Sequence, residues 1–269
     1  MRRAVSTWSL HRTLGRRVAP DSAASGGPFM ETTATADAMT LLELPAELAR
    51  RGYDAVQICH FHLPSRDPAY LAELRDAIES AGIELESLLI DDGDLTDPSH
   101  GDAMEAWISG WLGTGVALGA TRARVVAGLA SPTPETLQTA ATRLRRLAEA
   151  HPDIRVVTEN WKGLLPDGAT MRQLLELTGD QVGLLIDLGN WARPEKYDEL
   201  PKIAALAESC HAKCHTTGSE LDADDYRRTL TILKDAGYDG PMSLIYDGAD
   251  DDEWTMLDRE WEIVRSVFA

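Results

Sequence analysis

Three short apolar runs in the second half of the chain each bring a residue able to bind a divalent cation. Arg155-Val-Val-Thr-Glu159 closes on one carboxylate and Val182-Gly-Leu-Leu-Ile-Asp187 on another, while Ser209-Cys-His211-Ala-Lys213-Cys-His215 carries imidazoles and an ammonium. Side chains alternate along a strand, so His211, Lys213 and His215 point one way and Cys210, Ala212 and Cys214 the other. The second set is small and soft, suited to packing under helices. The first is costly to bury with nothing to bind. Two carboxylates and one imidazole, Glu159, Asp187 and His211, suit a hard or borderline divalent ion such as Mn, Mg, Co or Zn. Such an ion polarises a carbonyl and its neighbouring hydroxyl, which acidifies the adjacent C–H so that a carboxylate can move its proton.

Delivering three groups from the ends of successive strands requires a parallel sheet, and the chain has the rhythm for one. Strands are expected at Ala4–Leu10, Tyr53–His62, Ile83–Ile90, Ala123–Ala127, up to Glu159, up to Asp187, at Ser209–His215 and at Met242–Tyr246. Helical patterns separate them, with Gly52, Gly82, Gly119, Gly179 and Gly237 as stops and Thr133 as a cap. The chain of 269 residues shows no composition shift, so one (β/α)8 barrel domain over 1–269 is expected, α/β in class. No glycine-rich dinucleotide fingerprint supports the open doubly wound alternative. The polar, Gly/Ala/Ser-rich stretch at about 15–37 is read as a long loop.

Composition narrows the partners. A net charge of −18 argues against nucleic acid and against anionic membranes. No apolar run reaches transmembrane length, the start lacks an apolar signal core, and three cysteines fit a reducing compartment, so a cytoplasmic location is expected. The Cys210–Cys214 string has one residue too many for haem attachment, and alternation sets its thiols opposite its imidazoles. Asp91, Asp92 and Asp94 lack the glycine and terminal glutamate of a calcium loop and are assigned to loop capping.

Glu159, the Asp187-Leu-Gly-Asn190 turn, His211-Ala-Lys213, Gly52-Tyr-Asp-Ala-Val-Gln-Ile and Ala236-Gly-Tyr-Asp-Gly-Pro-Met-Ser-Leu resemble the xylose isomerase-like barrel superfamily of sugar isomerases and epimerases. The resemblance implies metal ligands Glu159, Asp187 and His211, and a sugar or sugar-phosphate substrate isomerised or epimerised through an enediolate. The family's fourth ligand, a glutamate, is Ile245 here, and Asn190 stands where a histidine is frequent. Asp247 shares strand parity with Ile245, nearer the rim, and is the candidate replacement. Glu159, Lys213 and Asp247 are the expected catalytic groups, Lys213 steadying developing negative charge. His60 and His62, on one face of the second strand, are assigned to substrate together with Asn190 and His215. A dehydratase or a non-catalytic sugar-binding barrel is the alternative, an endonuclease lacks the basic groove, and a homo-oligomer is compatible with the fold.

Overall fold

Eight parallel strands close into a barrel in the computed structural model, which describes residues 1–18, 30–32, 38–218, 220–249 and 252–269. In chain order the elements are β1 (Arg3–Ser6), β2 (Arg16–Val18), β3 (Met30–Thr32), α1 (Leu44–Arg50), β4 (Ala55–Cys59), α2 (Pro68–Ser80), β5 (Glu84–Ile90), α3 (Gly101–Leu118), β6 (Arg122–Val125) and α4 (Pro134–Ala150). Then come β7 (Arg155–Glu159), α5 (Gly168–Thr178), β8 (Gly183–Asp187), α6 (Lys196–Ile203), β9 (Ala207–Lys213), β10 (Thr216–Thr217), β11 (Glu220–Leu221), α7 (Ala223–Asp235), β12 (Met242–Ile245) and α8 (Glu253–Phe268). The barrel runs β1-β4-β5-β6-β7-β8-β9-β12 and closes by pairing of β12 with β1. This is the (β/α)8 architecture expected from the alternation of strand and helix patterns.

Each helix shows why it forms where it does. In α4, Thr133 caps the first turn and exchanges hydrogen bonds with Thr136, and Pro134 occupies a position whose N–H needs no partner. Leu137, Ala140, Ala141, Leu144 and Leu147 then recur at helical spacing and are buried. Apolar side chains between strands and helices form the main core, including Cys210 and Ala212 on the outward face of β9 and Cys214 just past its end. A small second cluster, Cys59, Leu89, Val157 and Leu185, fills the barrel interior, with Trp8 and Phe61 packed on it.

Several boundaries differ from expectation, and the reasons are local. The first strand stops at Ser6, whose hydroxyl accepts from the Trp8 N–H and turns Thr7–Leu10 into a 3-10 helix. The second stops at Cys59, whose N–H donates to Thr7 Oγ1, so His60–His62 forms another 3-10 turn. α6 ends at Ile203, and β9 starts at Ala207 and ends at Lys213, two residues short of His215. The long loop expected at 15–37 carries an antiparallel ribbon, β2 with β3; its remaining segments 19–29 and 33–37 lie outside the described residues. The acidic run before α8 is seen from Asp252, which caps that helix by accepting from the Thr255 N–H.

Candidate functional site

The site forms at the C-terminal rim of the barrel because three consecutive strands end there in register. Asp187, the last residue of β8, pairs with His211 of β9, and Glu159 ends β7 next door. All three side chains are buried. One ligand atom from each lies within 4.8 Å of the others, so Glu159, Asp187 and His211 form a group able to hold a metal ion. His211 Nδ1 is 3.5 Å from Glu159 Oε1 and 3.4 Å from Asp187 Oδ2. That separation is narrow enough for bonds of about 2.0–2.2 Å from each atom to a common ion.

Each ligand atom is held from behind. His211 Nε2 is 2.8 Å from Gln57 Oε1, and Gln57 Nε2 donates to buried Glu86 at 2.7 Å. An acceptor on the far ring nitrogen leaves Nδ1 directed at the carboxylates, an arrangement typical of metal-ligating imidazole. Asp187 Oδ1 accepts from the Gly189 and Asn190 N–H groups at 2.6 and 2.8 Å, leaving Oδ2 toward His211. The amide of Asn160 pins the Asp187 backbone on both sides, donating to its carbonyl and accepting from its N–H. Glu159 Oε1 accepts from Asn190 Nδ2 at 2.6 Å, and Oε2 lies 3.1 Å from Arg124 Nε.

Electrostatics follow the same geometry. Burial disfavours the His211 cation, but the carboxylates of Glu159 and Asp187 outweigh it and lift the imidazole to about 9. Burial would raise the Asp187 carboxyl, yet the His211 hydrogen bond and the Lys213 charge hold it below its ordinary value.

Sequence reasoning missed Arg124, which is buried on β6 and ties Glu159 to Asp91 at 2.5 Å. The signal was the Arg122-Ala-Arg124 alternation, which turns both guanidinium groups inward on an otherwise apolar strand. Asp91 was assigned to loop capping, and this is corrected: its side chain lines the cavity and pairs with Arg124, which keeps its carboxyl well below the usual range against the opposing effect of burial. Asp94 does cap the loop, accepting from the Thr96 and Leu129 N–H groups.

A cavity opens over these groups at the rim of the barrel. Trp8, Trp161, Leu89 and Ile245 give it apolar walls, and Arg124, Asn190 and Lys213 line it with the three ligand candidates. Ile245 is 3% exposed and paired in register with Lys213, so no carboxylate stands opposite Glu159 on β12. Asp247 is not among the three grouped ligands; it forms an ion pair with Lys213 Nζ at 2.7 Å. Gly189 allows this, since a Cβ there would come within 2.9 Å of the Lys213 stem.

The remaining substrate candidates are dispersed. Only Asn190 lines the cavity. His60 lies behind it, accepting from the Asp91 N–H and packed edge-on against Trp107 and Trp111. His62 is buried against Thr7 Oγ1 and the His11 ring. The expected shared face is lost because a 3-10 turn, not a strand, carries both histidines. His215 follows the end of β9 and is half-buried outside the cavity lining, where burial and the Lys196 charge depress its basicity.

A family model described as xylose isomerase-like TIM barrel matches residues 45–261. No curated protein matches the sequence. Among solved structures, a xylose isomerase-like TIM barrel protein from Mycobacterium smegmatis in complex with magnesium aligns over 100% of this chain and 98% of that one, at 17% identity and TM-score 0.65. D-Psicose 3-epimerase with D-tagatose from Clostridium cellulolyticum H10 aligns over 86% of this chain and 94% of its own, at 15% identity and TM-score 0.64. The probable 3-DHS dehydratase of petrobactin synthesis from Bacillus anthracis covers 98% and 99% respectively, at 11% identity and TM-score 0.64. At these identities the likeness is one of fold.

Proposed function

Because the chain belongs to the xylose isomerase-like TIM barrel family, we propose that it is a divalent-metal-dependent isomerase or epimerase acting on a sugar-like small molecule. The observation that carries this reading is the convergence of Glu159, Asp187 and His211, with ligand atoms within 4.8 Å of one another and all three buried. The donor set fits a divalent ion such as Mn, Mg, Co or Zn: two anionic oxygens and one imidazole, each fixed by its own hydrogen bonds, with room in the cavity for substrate oxygens. When bound, such an ion polarises the substrate carbonyl and its neighbouring hydroxyl.

The chain's own groups supply the rest. Glu159, oriented by Arg124 and Asn190, is the group that takes a proton from the carbon beside the carbonyl and returns it. Lys213, kept cationic by Asp187 and Asp247 although burial opposes its charge, steadies negative charge building on the substrate oxygens. Trp8, Trp161 and Ile245 exclude water from that exchange. With Ile245 in place of a second carboxylate, one base works on one face, which favours a proton shift between neighbouring carbons over inversion by two opposed bases. The Lys213–Asp247 pair beside Ile245 also supports a second reading, dehydration, in which the ammonium hands a proton to a departing hydroxyl.

The test is metal analysis of purified protein before and after chelation, with deuterium incorporation from D2O into a panel of ketoses and aldoses. Stoichiometric metal and C–H exchange that disappear together in Glu159→Gln are expected. Protein that takes up no divalent ion, or exchange unaffected by Glu159→Gln, sinks the proposal. Loss of water from the substrate selects the dehydratase reading.

A further inference from the structure

The segment after β7 holds a cation, Lys162, that makes no ion pair or hydrogen bond among the described residues. Trp161 N–H donates to the Glu159 carbonyl at 2.7 Å, and Leu165 N–H to the Lys162 carbonyl at 3.3 Å, which closes a tight turn at the cavity rim. Gly163 lets that turn lie against the neighbouring loop, since a Cβ there would meet the Leu129 carbonyl at 2.5 Å. At the apex stands Lys162 with φ of 65°, the one non-glycine residue with positive φ among the described residues. Glycine adopts that conformation freely and lysine does not, and a side chain kept at such a position is a pointer to function.

The side chain has a defined place. Lys162 Nζ sits 3.8 Å from the centre of the Trp161 ring, which is a wall of the cavity, and Arg124 Cζ lies 5.1 Å from the same centre. Arg124 is neutralised by Asp91 and Glu159, and Lys213 by Asp247. The Lys162 ammonium lies over the Trp161 indole and makes no hydrogen bond or ion pair among the described residues. Desolvation by the surrounding protein and the Arg124 guanidinium together push that ammonium below its ordinary value, outweighing the opposite pull of the Asp91, Glu159 and Asp92 carboxylates. In a chain of net charge −18 an anion is repelled at long range, so a site that accepts one needs a local cation of this kind.

We infer that the substrate is an anionic sugar derivative, whose carboxylate or phosphate is received by Lys162 at the rim while its carbon skeleton lies along Trp161. This rests on the proposed activity at the same cavity and adds the substrate class. Both anions offer oxygens to a single ammonium, and the experiment separates them.

Calorimetric titrations with glucuronate, glucose 6-phosphate and glucose are made on the wild type, Lys162→Gly and Lys162→Arg, each with and without manganese. Glycine suits the backbone at 162, so that variant tests the charge without disturbing the turn. At least one anionic probe is expected to bind about tenfold more tightly than glucose, the charge-assisted margin of one ammonium–anion contact. That margin should vanish in Lys162→Gly and survive in Lys162→Arg, with glucose affinity unchanged. The stronger of the two anions identifies carboxylate or phosphate. Equal affinity for all three sugars, no binding of either anion, or a preference that persists in Lys162→Gly overturns the inference. Manganese uptake in the same series keeps the two readings apart. A wild type that binds no metal counts against the proposed activity, and metal bound without anion preference counts against Lys162 alone.

Discussion

His211 Nδ1 lies 3.5 Å from one carboxylate and 3.4 Å from another, and its charge state sets how the metal-free protein responds to pH. Its value in the fold is about 9 against an ordinary 6.5, so the folded state holds this proton more tightly than the unfolded chain does. The stabilisation is therefore complete below pH 6.5 and fades as pH rises through 9, a loss on the order of 3 kcal/mol. Denaturant unfolding in chelator across that window checks this, and His211→Asn should flatten the slope. Metal competes with the same proton, so metal affinity should climb over the same range. The fourth-ligand question also belongs here. Asp247 pairs with Lys213 outside the group of three, so Asp247→Asn is expected to leave metal affinity unchanged. Ile245→Glu adds a carboxylate at the cavity wall beside Lys213 and should tighten metal binding about tenfold or more. A loss of metal affinity in Asp247→Asn, measured by competitive titration, would return Asp247 to the ligand set.

At the scale of elements, the end of β8 is held by helices that never touch the cavity. Lys196, fully buried on α6, donates to the Leu188 carbonyl at 3.3 Å and to Asp225 of α7 at 2.7 Å. Tyr197 donates to the other Asp225 oxygen at 2.6 Å. One ammonium thus ties α6, α7 and the turn after Asp187 together. Removing it leaves the Asp225 carboxylate buried without its counter-ion, held only by the Tyr197 hydroxyl, and Lys196→Met is expected to cost about 3–5 kcal/mol. Unfolding midpoints in guanidinium test this; a change below about 1 kcal/mol would mean that Asp225 finds water or takes a proton. The same coupling predicts weaker metal binding in Lys196→Met, because the turn that orients Asp187 Oδ1 loses its anchor.

For the molecule as a whole, the proposed metal binding would be linked to folding. The three ligand candidates come from three separate strands and meet only in the closed barrel, so an ion held by them would bind the native state and not the unfolded chain. Manganese at a hundred times its dissociation constant should stabilise the protein by about 2.7 kcal/mol, and chelator should reverse the gain. A melting temperature indifferent to manganese would argue against the metal reading. The sequence by itself determined the order of strands and helices, the parallel barrel, and the placement of Glu159, Asp187 and His211 on three successive strands. Those follow from local periodicity, caps and alternation, which act over a few residues and leave their mark in the chain. It could not determine where strands stop. His60, His62 and His215 were read as strand residues, but Thr7 Oγ1 binding the Cys59 N–H, and β9 ending at Lys213, carried them away from the cavity. Nor could it show that Arg124 bridges Asp91 to Glu159, that Gln57 backs His211, or that Asp247 is taken up by Lys213. Each of these contacts joins residues far apart in the chain, and the closing of the barrel, not any local pattern, brings their charges within reach of one another.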